Sequence, residues 1–302
     1  MSFEIIIPFL KPIEHLLASN TVSEIMVNPD GSIWMEEGGQ IQQVTGVQFE
    51  DGALQTGLEV IANRFGKKLD AGSPILNLRL PDGSRMAAMI PPVVNPRPLM
   101  TIRKFTSRDF TLEDLIRVEM LTEEQATMLT DAVREGQNIL IAGGTGSGKS
   151  TLLGTLADAI PDNERILLIE DTAELHIRKP HIVSTESQMD THRSKVTFDD
   201  LLKAVLRHRP DRIIVGEVRG PEARTLLDAM NTGHRGTLAT IHASSADESV
   251  RRLASLAIRS SANLQLSVAE EDVMRCINLV VYISRHHGRR SVDKVVRVQR
   301  PA

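Results

Sequence analysis

"NILIAGGTGSGKSTLLGTLADAI", residues 138–160, decides the fold of this chain. Its opening run, "NILIA", is continuous and apolar, as a strand buried on both faces requires. The stretch "GGTGSGKST" at 143–151 then fits G-x-x-x-x-G-K-[ST], with Gly143, Gly148, Lys149 and Ser150 at the fixed positions, and residues 149–160 read as a helix. Strand, glycine-rich loop and helix in that order make a phosphate cradle. The glycines let successive N–H groups converge on phosphate oxygens, and the helix N-terminus adds positive charge. The expected contacts of a nucleoside triphosphate are Gly143, Gly144, Thr145, Gly146, Ser147, Gly148, Lys149, Ser150 and Thr151. Lys149 would reach the β- and γ-phosphates, and Ser150 would ligate Mg²⁺.

Around this unit the pattern alternates. Helices are predicted at 123–136, 197–209 and 221–233, and buried strands at 165–170, 212–217 and 236–243. Apolar strands separated by amphipathic helices predict an α/β domain with a mostly parallel sheet covered on both faces. The tail "NLVVYISRHHGRRSVDKVVRVQ" reads as a closing hairpin. Upstream the texture differs. A helix at 10–19, strands around an Asp30-Gly31 turn, a helix at 50–65, a hairpin around Asp82-Gly83 and a strand at 100–105 predict a smaller α+β domain. The expected organisation is an α+β domain at 1–105, a linker at 106–120 and a P-loop domain at 121–302.

Bulk properties narrow the function. The 302 residues suit two domains, and 41% hydrophobic with 25% charged residues describes a folded chain. A net charge of -4 and 3% aromatics provide neither a phosphate-backbone attraction nor stacking platforms, so stable nucleic-acid binding is not expected. The single cysteine, Cys276, excludes an intramolecular disulfide and a CxxC zinc module and fits a reducing, cytoplasmic compartment. The apolar start is broken by Glu4, Pro8 and Pro12, and no run reaches the roughly 20 apolar residues of a membrane span. Any membrane association is therefore expected to be peripheral.

The acids beside the loop decide what happens to a γ-phosphoryl group. "RPDRIIVGEVRG" carries a strand up to Gly216 and Glu217, where P-loop hydrolases place an acid beside the metal. Here the usual aspartate position is Gly216, leaving Glu217 to act on Mg²⁺ through water. "RILLIEDTAELHI" ends a second strand in Glu170, Asp171 and Glu174. Three carboxylates this close are not all buried together without cations, and one of them is a candidate to orient or deprotonate an attacking water.

"TGHRGTLATIHASS" at 232–245 holds His234 and His242. Eight residues of strand separate them by roughly 26 Å, too far to share a metal. His242, at the end of a core strand, is the expected sensor, contacting the γ-phosphate or Glu217, and His234 is a turn residue.

Taken together, "GGTGSGKST", "IEDTAELH", "RPDRIIVGEVRG" and "TGHRGTLATIHASS" resemble the Walker A, aspartate-box, Walker B and histidine-box motifs of the secretion ATPases of type II secretion, type IV secretion, conjugation and type IV pili. The order is the family's, and the likeness is strong over about 72–245. The resemblance implies a PAS-like domain followed by a RecA-like ATPase domain, in a homo-hexamer that hydrolyses ATP with Mg²⁺ and works with inner-membrane components of its machine. It implies Glu174 as general base, Glu170 and Asp171 as support for the metal and water shell, Glu217 as the Walker B acid, and Arg219 as a residue that holds the site. "RLPDGSRMAAMIPP" and "LMTIRKF" resemble segments whose arginines reach the phosphates, which puts Arg85 and Arg103 in the site, with Arg79 a further candidate. The absence of a four-cysteine insertion and the short N-terminal region favour the type IV secretion and conjugative-transfer branch, with Tad pilus motors next. A RecA-like nucleic-acid translocase, a P-loop kinase and a non-hydrolysing switch remain the alternatives.

Overall fold

Two units divide the chain, Met1–Arg108 and Asp109–Ala302. The computed structural model describes residues 6–104, 110–171, 173–191, 194–260, 264–286 and 289–299. Residues 105–109, at the end of the expected strand and the start of the expected linker, lie outside that set, as do 287 and 288 within the expected hairpin segment.

The first unit carries α1 (Glu14–Ala18), β1 (Val22–Val27), β2 (Ile33–Glu37), β3 (Gln40–Val44), α2 (Ala53–Arg64), β4 (Ile75–Arg79), β5 (Arg85–Met89) and β6 (Leu99–Arg103). The strands form an antiparallel sheet in the order β3-β2-β1-β6-β5-β4. Alternation sets its faces. Leu76, Leu78, Met86, Ala88, Met100 and Ile102 point into a core shared with Leu58 and Ile61 of α2. The helix expected at 10–19 is shorter than its pattern suggests. Pro8 and Pro12 each sit in the first turn of a short 3₁₀ segment, and α1 starts only at Glu14. A proline is tolerated at a helix start but cannot continue one, so the run is broken into pieces.

The second unit follows as α3 (Leu112–Arg117), α4 (Glu123–Arg134), β7 (Ile139–Gly143), α5 (Lys149–Ala157), β8 (Ile166–Glu170), β9 (Ile182–Glu186), β10 (Gln188–Thr191), β11 (Ser194–Val196), α6 (Phe198–Val205), β12 (Arg212–Val218), α7 (Glu222–Asn231), β13 (Leu238–His242), α8 (Ala246–Ala257), α9 (Leu266–Cys276), β14 (Leu279–His286) and β15 (Arg289–Arg297). Among the described residues, β15-β14-β7-β13-β12-β8-β9 form one sheet, parallel except for the edge strand β15. This is the mostly parallel α/β architecture the sequence predicts.

Period-two alternation in fully buried strands builds both cores. Ile139, Ile141, Ile166, Leu168 and Ile214 face α4 and α5, while Leu140, Ala142, Leu167, Ile169, Ile213 and Val215 face α6, α7, α8 and α9. Thr122 and Gln125 cap α4 reciprocally, and Thr197 and Asp200 do the same for α6, satisfying backbone donors that would otherwise be lost at each helix start. Strand order matters most for function. It lines up the carboxyl ends of β7, β13, β12 and β8, so Gly143, His242, Glu217 and Glu170 arrive along one edge.

A candidate nucleotide site at the strand ends

The loop between β7 and α5 is shaped by close approach. A Cβ on Gly143 would stand 2.4 Å from the Ile283 carbonyl oxygen, and Gly148 has φ +101°, a left-handed value that favours glycine. Lys149 opens α5 and is 6% exposed. Its Nζ donates to the Gly143 and Gly144 carbonyls at 3.1 and 2.8 Å and lies 3.2 Å from His242 Nδ1. Burial pulls this ammonium below its usual pKa, offset in part by Glu217.

His242, the last residue of β13, faces both ways: its Nε2 is 3.1 Å from Glu217 Oε1. The ring therefore bridges the two, within hydrogen-bond reach of the lysine through Nδ1 and at ion-pair distance from the carboxylate through Nε2. Glu217 is further held by Arg219, whose Nε is 2.7 Å from Oε1 and whose Nη2 donates to Oε2 at 2.9 Å. Burial pushes the Glu217 pKa up, but Arg219, His242 and Lys149 outweigh it, and the carboxyl stays below its ordinary value. Arg219 also reaches Asp171 at 3.3 Å. The result is one continuous chain of contacts: Lys149, His242, Glu217, Arg219, Asp171.

The three aspartate-box acids divide by environment. Glu170 is 3% exposed, and its Oε1 accepts from the backbone N–H groups of Glu174 and Leu175 at 2.8 and 3.0 Å. Its Oε2 is buried with no hydrogen-bond partner. Burial raises its pKa to about 7, against the lowering effect of those two N–H groups, with Glu174 and Glu186 adding repulsion. Asp171 is half-buried and accepts from Ser187 Oγ at 3.2 Å. Glu174 is exposed, its backbone fixed by Glu170.

Some supporting residues escape the sequence reading. Glu222, 5% exposed in the first turn of α7, accepts from the N–H groups of Arg219 and Gly220, both at 2.7 Å, and so sets the turn that aims Arg219. A glutamate following Pro221 at a helix start is the signal that could have revealed it. Thr240 donates to the Gly216 carbonyl at 2.5 Å, tying β13 to β12 behind the site.

His234 lies apart, in the turn after α7, with Nδ1 3.1 Å from the Ala229 carbonyl oxygen. Among the described residues, no cluster of three or more His, Cys, Asp or Glu side chains is arranged to hold a metal unaided. Arg85 and Arg103 belong to the first unit. There Arg79 pairs in register with Arg85, Arg85 with Arg103, and Arg103 with Glu24, a row on the sheet face opposite the core. No helix among the described residues is long and apolar enough to cross a membrane.

The donor set suits a phosphate ester with a hard divalent cation. Loop N–H groups, the α5 N-terminus and the Lys149 ammonium surround one side, and an ionised Glu217 stands opposite with the Ser150 hydroxyl in the first turn of α5. The unpartnered Glu170 Oε2 leaves one further oxygen at the same edge.

Comparison with known proteins agrees with this geometry. Residues 9–296 match the type II/IV secretion system protein family. The conjugal transfer protein TrbB of Rhizobium radiobacter is 38% identical over 284 residues, covering 92% of this chain and 84% of that protein. The type IV secretion system protein VirB11 of Bartonella quintana is 31% identical over 333 aligned positions, covering 96% and 92%. Among solved structures, the pilus retraction motor PilT with bound ADP shares the fold with a TM-score of 0.70 at 18% identity, covering 98% of this chain and 83% of that one. The chain belongs to the type II/IV secretion system protein family.

Proposed function

We propose that this chain is a Mg²⁺-dependent ATPase that works as a homo-hexameric motor for a type IV secretion or conjugative-transfer machine, cytoplasmic and docked peripherally on inner-membrane components. The observation that carries the reading is the unbroken path from the loop lysine through His242 to Glu217 and Arg219. A bare phosphate-binding loop has no need of it. The similarity to a conjugal transfer protein supports the choice of machine, and the fold shared with an ADP-bound motor supports the nucleotide.

In this reading Lys149 neutralises charge on the β- and γ-phosphates, and Ser150 and Glu217 hold Mg²⁺. Bound Mg²⁺ supplies electrostatic stabilisation of the phosphate oxygens. Glu174 accepts the proton of the attacking water, an assignment its exposed carboxyl supports, since it can meet water where the buried Glu170 cannot. Glu170 positions Glu174 through the backbone. Arg219 keeps Glu217 ionised and stands between it and Asp171. The first unit, which carries Arg85 and Arg103, and the P-loop unit, joined by a 106–120 linker, give the chain its two-part organisation. The test is turnover. Lys149→Ala should abolish ATP hydrolysis, and full activity in that variant would overturn the reading.

A further inference from the structure

The hairpin of β14 and β15 runs past the phosphate loop because of its register: Ile283 pairs with Gly143, so the residues that follow continue alongside 143–151. Arg285 and Arg290 stand directly opposite each other across that hairpin. A Cβ on Gly146 would lie 3.5 Å from an Arg285 Nη, and one on Gly148 would lie 3.5 Å from Arg290 Cδ. The hairpin is anchored where it passes. Val292 N donates to the Met120 carbonyl at 2.7 Å, and Gln125 Nε2 donates to the Val292 carbonyl at 3.1 Å.

Both arginines are exposed, and among the described residues neither side chain has an ion pair or hydrogen bond. Neighbouring side chains do find acids: Arg289 lies 3.6 Å from Glu119, and His286 Nε2 lies 3.9 Å from Asp293. Two uncompensated guanidinium groups beside the N-terminus of α5, already the positive end of a helix dipole, repel it and each other until an anion arrives. The site's acids are on the opposite flank of β7, at the ends of β13, β12 and β8. The loop is therefore bordered by carboxylates and His242 on one side and by arginines on the other.

We propose that Arg285 and Arg290 form a guanidinium clamp on the inner phosphates of a nucleoside di- or triphosphate seated in the loop, an inference that rests on the nucleotide reading above. The γ-phosphate end of the ligand belongs to the Lys149–His242–Glu217 flank. The arginines grip what ADP and ATP have in common. They set affinity for both nucleotides rather than the rate of the chemical step, and planar two-point donation to phosphate oxygens is the geometry guanidinium serves best.

Titration of the full chain with a fluorescent ADP analogue in Mg²⁺ tests this. Each of Arg285→Ala and Arg290→Ala should weaken ADP binding by about tenfold, the size of a lost charge-assisted contact. ATP binding should fall by the same factor, kcat at saturation should hold, and the affinity of the double variant should depend less on salt. Arg289→Ala, on the same hairpin but paired with Glu119, should bind like wild type. The double-lysine variant, with charge but no fork, should bind more tightly than the double-alanine variant. Wild-type ADP affinity in the double-alanine variant would overturn the clamp, as would equally weak binding in the alanine and lysine doubles with lowered melting temperatures. Wild-type protein that binds no ADP would instead overturn the nucleotide reading beneath it.

Discussion

A Cβ on Gly216 would stand 3.0 Å from the Cγ of Glu170. Gly216 occupies the position where an aspartate is usual in P-loop hydrolases, and Glu170 of the neighbouring strand fills the space that side chain would need. Gly216→Ala must push Glu170 back by a few tenths of an ångström or shift β12 against β8. The expected cost is about 1–2 kcal/mol in denaturant unfolding, as for overpacking elsewhere. Turnover should fall further than stability accounts for, because Glu170 holds the N–H groups of Glu174 and Leu175. A variant with wild-type stability and wild-type kcat would show that the two strands have slack here.

The same carboxyl predicts a pH dependence. Burial raises the Glu170 pKa from 4.5 to about 7. Between those values the folded chain binds more protons than the unfolded one, so this group's contribution to stability falls as pH rises. Above pH 7 the cost of holding it ionised is on the order of 3 kcal/mol, and it is relieved as pH drops through 7 toward 4.5. Glu170→Gln removes that dependence. Its stability relative to wild type should increase from pH 5 to pH 8, and parallel unfolding curves for the two proteins across that range would contradict the burial argument.

Glu174→Gln and Glu217→Gln should separate binding from chemistry. Losing a general base typically costs about 10²–10⁴ in rate, so Glu174→Gln should bind ATP with near-wild-type affinity and hydrolyse it slowly. Glu217→Gln loses the charge that Arg219 and His242 surround, and its ATP affinity should become less responsive to Mg²⁺. Rapid-quench single-turnover assays with binding isotherms would tell these apart. Wild-type single-turnover rates in both would remove the carboxylates from the chemistry.

Much of this was legible from sequence because the information is local. "NILIA", "RILLIE" and "RIIVG" are apolar on both alternating faces, and the loop motif binds function to contiguous residues. What local strand patterns cannot carry is lateral. Lys149, Glu217 and His242 are far apart in the chain and meet only because β13 and β12 follow β7 in the sheet, an order no strand pattern encodes. The reason for Gly216 needs the β8–β12 pairing, and the hairpin arginines need the register of Ile283 on Gly143. α8 and α9 went unread because many of their residues are polar. Yet Ser245 caps α8, and Leu253, Ala254, Leu256 and Ala257 form its buried face.

Arg212 offers a control in which stability and function part. It is 4% exposed at the start of β12, ion-paired with Glu164, and donates to the Val133 carbonyl at 2.8 Å. Glu164→Ala strands a buried guanidinium, and breaking such a pair from one side costs about 3–5 kcal/mol when both partners are buried. Glu164 itself is 25% exposed, so the lower end is expected. The loss should appear in melting temperature with nucleotide affinity unchanged below the transition. A matching loss of ADP affinity would mean that this end of β12 communicates with the other.

His242 is where binding and chemistry meet. Its ring contacts both Lys149 and Glu217. On the proposed reading, a γ-phosphate that draws Lys149 outward would take one of the ring's two partners, and its loss on hydrolysis would return it, so the ring would report occupancy to Glu217 and through Arg219 to Asp171. His242→Ala should therefore leave ADP affinity close to wild type and lose most of the difference between ADP and a nonhydrolysable ATP analogue. Turnover should fall by about 10–10³-fold, the range of a lost preorganised contact near the transition state. His242→Gln can still bridge a donor and an acceptor and should recover part of both. Unchanged discrimination between the two nucleotides in His242→Ala, with catalysis lost, would assign the ring to positioning Glu217 alone.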